Sequence, residues 1–348
     1  MKQVAAAPRA EHRGGRLRGP GLILGLAGVG VTLVVVCVAS LAVGSVPIPL
    51  GTTLEALRAF DGSQDHIVVR DMRLPRTVVG LVVGAALGVA GALMQAVTRN
   101  PLAEPGILGV NAGAAFGIVT AVYALGVVSP AGYVWFAFTG AAVAAVVVYL
   151  LGTAGRSGAS PVKLALAGVV VTMLLDAWIT LLLVFNQRTL DEVRFWLAGS
   201  LAGRDGPALT HVAPLVLGVL VVALFMARQL NALSLGDQVA TALGQRTTRI
   251  RVTSGIVVVV LAGGAVAAAG PIGFVGLAVP HLARAITGPD YRWILPYCLL
   301  LGPTLLLAAD IVARVVARPA ELQVGIITAL VGAPFLIHLV RRGRAAAL

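Results

Sequence analysis

Apolar runs long enough to cross a bilayer, about 20 residues each, recur along the whole 348-residue chain. In lipid a backbone can satisfy its own polar groups only as helices or as a closed barrel, and runs this continuous select helices. Ten are read, at roughly 21–44, 77–98, 106–125, 133–151, 164–185, 208–227, 252–270, 272–287, 293–313 and 322–340. The eighth is short and broken by Pro280, which leaves the count open by one. Charged residues make up 11% of the chain, against about 25% in a soluble domain. No polar stretch could form a soluble unit of its own. The expectation is an all-α polytopic membrane protein, with a basic cytoplasmic segment at 1–20 and one membrane domain over 21–348.

The formal net charge of +12 could suit a nucleic-acid binder, but its distribution follows topology instead. With the N-terminus placed inside, 17 of the 26 basic residues fall in cytoplasmic segments, and those left outside stand among eight acids. This positive-inside bias predicts a multi-pass protein of the cell membrane with both termini cytoplasmic, the lipid bilayer as its solvent, and no nucleic-acid partner. The first run follows Arg13–Arg18 as a signal peptide would, yet Gly21–Gly44 exceeds the 7–15 residues of an h-region. A retained helix is expected. Cys37 and Cys298 have no metal-site spacing and read as packing residues.

Small residues line up on two of the runs. Gly80, Gly84 and Gly88, continued by Ala92 and Ala96, recur every four residues, and Gly109, Gly113 and Gly117 do the same. That spacing makes a groove on one helix face and lets neighbouring backbones approach closely. Ionisable residues inside spans are the default functional candidates. Asp310 has Arg314 one turn away as a partner; Asp176 has none in its own helix and faces either a watery path or another helix end. His281, after Pro280, reads as a hydrogen-bonding residue near a helix end. No catalytic or metal-ligating cluster occurs. A P-loop needs Lys directly after Gly, and the two lysines, Lys2 and Lys163, do not follow glycine. The chain is therefore expected to be no enzyme and to bind no cofactor; any ATP and magnesium would sit on another subunit.

The most informative polar segment is Leu230–Arg251, a basic island between apolar helices. Asn231 or Ser234 can cap a short helix, Gly236 permits a tight approach, Ala240 and Leu243 offer an apolar stripe, and Gly244 can end the helix. Composition alone leaves two readings open, a solvated loop or a docking surface.

Whole segments point to a family. RLPRTVVGLVVGAALGVAGALMQAVTRNPLAEPGILGVNAGAAFG (Arg73–Gly117) resembles the second and third helices of the FecCD-type permeases, membrane subunits of ATP-binding-cassette importers for iron-siderophores, haem and cobalamin. Ser234–Gly244, Ala268–Arg284 and Leu306–Arg342 resemble the same family in matching order. The resemblance implies the type II importer architecture: ten helices per subunit, and two permease subunits, identical or related, around one pathway. It also implies an ATPase beneath each subunit and an extracytoplasmic binding protein above. It assigns Leu235, Gly236, Asp237, Ala240, Leu243 and Gly244 to the loop that seats in the ATPase, and Arg73, Arg76 and Arg314 to docking of the binding protein.

The resemblance further implies that the fifth and tenth helices, Leu164–Phe185 and Val324–His338, line the pathway, and that Ser157–Lys163 lies at a gate. Phe195–Asp205, FWLAGSLAGRD, is closer to the iron-siderophore members than to the cobalamin permease, and its small residues leave space near the outer mouth. The function implied is inward movement of a ferric siderophore by alternating access, with cobalamin or haem as alternatives. An ion-coupled secondary transporter would need paired ionisable groups at the midplane, which only Asp176 loosely supplies.

Overall fold

The computed structural model describes residues 19–127, 129–154, 161–203 and 206–345. The expected basic stretch before residue 19 and Ser157–Ser160 of the expected gate lie outside the described residues. Among those described, every regular element is helical. Pro20–Ala42 forms α1; Leu50–Arg58 and Gln64–Ile67 form α2 and α3. A π-helical stretch, Val68–Arg73, joins α3 to α4, Leu74–Thr98. Then follow α5 (Val110–Leu125), α6 (Pro130–Thr153), α7 (Pro161–Phe185), α8 (Gln187–Leu197) and α9 (Gly206–Phe225). Two short helices, α10 (Ala227–Ser234) and α11 (Asp237–Ala242), lead into α12 (Thr247–Ala269), α13 (Val275–Thr287), α14 (Tyr291–Val316) and α15 (Val324–Ala345).

Ten of these helices stand where the apolar runs predict them, but they are unequal. Six are long and apolar enough to cross a membrane: α1, the Gln64–Thr98 helix ending in α4, α6, α7, α12 and α14. The α9–α10 pair makes a seventh if its 53° bend is counted as one span. α5 and α15 contribute shorter apolar stretches, and α13 has only 13 residues. Pro280 is not what shortens α13, since it lies within the helix. The break falls earlier, at Gly270–Phe274, where the chain runs without helix before Phe274 turns it at φ 68°.

The buried fraction separates hub from periphery. Within the most apolar window, 89% of the residues ending in α4 are buried, against 6% for α1. α4 reaches that burial by close backbone packing. A Cβ at Gly84 would overlap the Gly302–Pro303 backbone, one at Gly88 would press on the Cys298 carbonyl, and one at Gly91 would overlap Gly276 on α13. Gly80 meets the Leu307 side chain on the same α14 face. Gly113 and Gly117 do likewise against the α6 backbone at Gly140 and Phe136. Gly109 does not belong to that groove; it stands at φ 71°, ahead of the first turn of α5, where a left-handed turn is required. Cys298 is buried beside α4 and Cys37 is half-buried in α1; both are free thiols.

α1, so little buried, is pinned near its two ends. Tyr297 Oη donates to the Leu22 carbonyl at 2.8 Å. At the far end Ser40 Oγ hydrogen-bonds Thr77 Oγ1 at 2.9 Å.

Candidate functional site

Two faces carry the polar chemistry, one bearing α10 and α11, the other bearing α8. On the first, Gly236 sets the turn between the two short helices at φ 106°. A Cβ there would crowd nothing, so the glycine serves the backbone angle rather than a close approach. Gly244, at φ 76°, follows the end of α11. Asn231 does not cap this helix. Its amide donates to Asp290 Oδ1 at 2.6 Å and its oxygen accepts from Tyr291 N–H at 2.8 Å, tying α10 to the start of α14.

Ala240 is buried, whereas Leu235, Val239 and Leu243 are all exposed. Val239 and Leu243, one helical turn apart, form a short apolar ridge along α11, and Leu235 adds apolar surface on the other side of the Gly236 turn. Ala240 therefore anchors the loop from beneath instead of forming the stripe, and Val239 is a ridge residue that the sequence reading passed over. Its spacing from Leu243 was the available signal.

Asp237 heads α11 but does not project freely. Arg99 Nη2 donates to its Oδ2 at 3.0 Å, and Arg251 Nη2 donates to both oxygens at 2.9 Å. One carboxylate thus joins the end of α4, the start of α11 and the first turns of α12. Arg99 occupies the left-handed position that ends α4, at φ 50° and ψ 30°. For a side chain with Cβ that conformation costs about 1–2 kcal/mol. Nearby, Asp290 bonds Arg292 and Asn231; burial alone would raise its carboxyl, but these donors hold it below the usual range.

The opposite face repeats the pattern inside the protein. Asp310 on α14 is fully buried. It pairs with Arg314 at 3.0 Å and with Arg76 of α4 at 2.8 Å, and Arg76 also reaches Glu321 at 2.6 Å. Arg314 donates to the Ser40 carbonyl and to Ser40 Oγ, both at 2.8 Å. Arg73 donates to the carbonyls of Leu41, Ala42 and Val46. Leu41 and Ala42 end α1, whose last carbonyls have no partner within the helix.

Of the three arginines expected to dock a binding protein, the structure holds two, Arg73 and Arg314, inside the chain. Arg73 and Arg314 are 5% and 1% exposed, and their donors are committed to the chain. Arg76 alone reaches open space. It lines a cavity of about 410 Å³ together with Glu192, Phe195, Trp196, Glu321 and Gln323. The small residues of the 195–205 segment contribute Ser200, Ala202 and Gly203 to the same cavity; Arg204 and Asp205 lie outside the described residues.

A second, wider groove of about 630 Å³ runs along α15. Its wall is apolar, small residues (Ala198, Gly325, Ala329, Ala333) alternating with Pro271, Ile326, Leu330 and Pro334. α7 likewise exposes a long apolar face, with Asp176 on an exposed position among Met173, Leu174 and Trp178. His281 Nδ1 pairs with the Leu277 carbonyl at 3.1 Å, and its ring meets Phe335 of α15 edge-on. Among the described residues no three His, Cys, Asp or Glu side chains come together as a metal site.

The FecCD transport family matches residues 32–342. The chain is a member of that family. Ferric enterobactin transport system permease protein FepD of Escherichia coli K12 is 46% identical, over 93% of this chain and 94% of its own length. Fe(3+)-citrate import system permease protein YfmD of Bacillus subtilis is 42% identical, over 88% of this chain and 90% of its own. Among solved structures, a metal-chelate type ABC transporter in an inward-facing conformation superposes with a TM-score of 0.80. It is 31% identical and covers 92% of this chain and 99% of its own. The chain is thus an all-helical, multi-pass membrane protein of a transport family.

Proposed function

We propose that this chain is the membrane permease subunit of an ATP-binding-cassette importer for ferric siderophores. The observation that carries the reading is near full-length similarity to a ferric enterobactin permease, together with a shared fold with a metal-chelate transporter. On this reading the face bearing α10 and α11 is the cytoplasmic one, and both termini lie on the cytoplasmic side. There the exposed apolar side chains of Leu235, Val239 and Leu243 seat in an ATPase subunit, which holds ATP and magnesium. The opposite face receives a binding protein. Arg58 and Arg70 are exposed on it, Arg76 reaches the cavity mouth, and Arg73 and Arg314 brace the rim from within.

Two permease subunits, identical or related, enclose a pathway walled by α7 and α15. The groove along α15 supports weak binding: its wall is apolar and, among the described residues, offers no charged or hydrogen-bonding side chain to hold the cargo, which suits a bulky chelate that must leave easily. Closure of the ATPases shifts the coupling loops, and packed helices carry the shift to the gates.

A strain lacking this chain is expected to fail under iron starvation when a ferric siderophore is the only iron source, and to recover with excess simple iron salts. Intact uptake of radiolabelled iron across a panel of siderophores, with cobalamin or haem uptake lost, would replace the iron reading with one of those cargoes.

A further inference from the structure

We propose that Arg99 is the positioning residue that yokes the ATPase-coupling loop to the central helix α4, through the clasp in which Asp237 is held between Arg99 and Arg251. The inference rests on the reading of α10–α11 as the ATPase seat and names what makes that seat transmit motion.

Three observations carry it. The first is the placement of Arg99 itself. The left-handed residue that ends a helix is usually glycine, sometimes asparagine, yet α4 ends on an arginine at φ 50°. From there its guanidinium reaches Asp237 at 3.0 Å. The second is convergence: α4, α11 and α12 meet on one carboxylate, since Arg251 occupies both Asp237 oxygens. Ala240, buried beneath α11, adds an apolar hold.

The third observation is the rod that the clasp grips. α4 lies against α13 and α14 through glycines at backbone distance, at Gly84, Gly88 and Gly91, so it moves with them or not at all. Its far end carries Arg76, roughly 35 Å away at the helical rise, in the wall of the 410 Å³ cavity. A displacement of α11 is therefore passed straight to α4, and on to the opposite mouth, if Arg99 holds; without Arg99 it has only the indirect routes through α12 and through α10, which Asn231 ties to α14. Both partners are partly exposed, Arg99 at 41% and Asp237 at 44%, so releasing the pair leaves the helix packing in place.

The test uses the full complex of this chain with its ATPase subunit. Ala202, exposed at the cavity, is replaced by cysteine (Ala202→Cys), and its modification by a hydrophilic maleimide is timed with and without ATP. The same complex lacking that cysteine supplies the background from Cys37 and Cys298. ATP is expected to change the modification rate in the Arg99-containing complex. Arg99→Gly is expected to shrink that change about fivefold or more, the scale of an ordinary coupling free energy. Its thermal midpoint should be no lower, because glycine suits the backbone angle, and the ATPase should still co-purify. Arg99→Lys, which keeps the charge, should restore part of the response.

A purely structural Arg99 would move the midpoint and not the response. A full nucleotide response in Arg99→Gly overturns the yoke. A separate variant, Leu235→Asp with Val239→Asp and Leu243→Asp, tests the seat. If it keeps the ATPase bound, the docking reading fails; if it loses the ATPase while Arg99→Gly keeps its full response, docking stands and the yoke falls. A reporter that ignores nucleotide in the Arg99-containing complex overturns both the yoke and the alternating-access reading.

Discussion

Two aspartates, one near each face, are each held between two arginines. Asp310 sits between Arg76 and Arg314, and Asp237 between Arg99 and Arg251. The bond lengths are nearly the same, 2.8 to 3.0 Å. What differs is solvent: the Asp310 side chain is 0% exposed and the Asp237 side chain 44%. Breaking a buried pair by removing one partner costs about 3–5 kcal/mol, because the remaining charges are stranded. An exposed pair is worth about 0–1 kcal/mol. One geometry thus serves as a lock inside the rim and as a latch at the loop. Only the second can open and close without unfolding what surrounds it.

The largest effect that tests this contrast belongs to Asp310→Ala. It strands the charge of Arg314 in the wall between α4 and α14, leaves Arg76 with Glu321 alone, and loosens the arginine that holds α1 through Ser40. A loss of about 3–5 kcal/mol in unfolding free energy is expected, read as a lowered thermal midpoint in detergent. A variant within about 1 kcal/mol of the parent would show the pair to be no stronger than a surface one.

Much of this fold was legible because bilayer length and glycine spacing are local properties of the sequence. Ten apolar runs marked the ten main helices, and on the Gly80–Gly84–Gly88 face Gly84 and Gly88 meet the α14 backbone while Gly80 meets the Leu307 side chain. Gly109 shares the spacing yet serves a turn, since spacing alone cannot report a backbone angle. The Asp310–Arg314 pair could be read from its i, i+4 register, but Arg76 joins it from 234 residues away, beyond any periodicity. The same limit hid Arg99 and Arg251 from Asp237, whose charge had looked free to face a partner. Arg73 misled for a related reason: a basic residue against the topological trend signals a need for charge. Here the terminal carbonyls of α1 take up its donors.

Between the two extremes lies Glu321, which extends the buried cluster to the surface with its side chain 31% exposed. Burial would raise its carboxyl, but the hydrogen bond and charge of Arg76 outweigh that and hold it below the usual range. A carboxyl depressed on folding adds stability above its unfolded pKa of about 4.3, and that stability is lost as pH falls through the folded value. The thermal midpoint should therefore drop in part between about pH 5 and pH 3. Glu321→Gln should flatten that drop while leaving the midpoint at neutral pH only modestly lower. An unchanged pH profile in the variant would assign the acid sensitivity elsewhere.

The smallest expected effect is the one that separates latch from lock. Asp237→Asn keeps the shape of the side chain and removes the charge that Arg99 and Arg251 share. Because all three groups are partly exposed, its cost should stay below about 1 kcal/mol. Salt near 1 M, with a screening length of about 3 Å, should erase the difference from the parent protein. The same salt should leave the deficit of Asp310→Ala largely intact, since buried charges are screened much less. Thermal unfolding of both variants at low and high salt makes the comparison directly. If Asp237→Asn loses as much stability as Asp310→Ala, and keeps that loss in high salt, then the inner clasp is a structural lock like the outer one. A loop bound that firmly could not act as a releasable link, so this smallest shift decides whether burial has divided the two clusters by role.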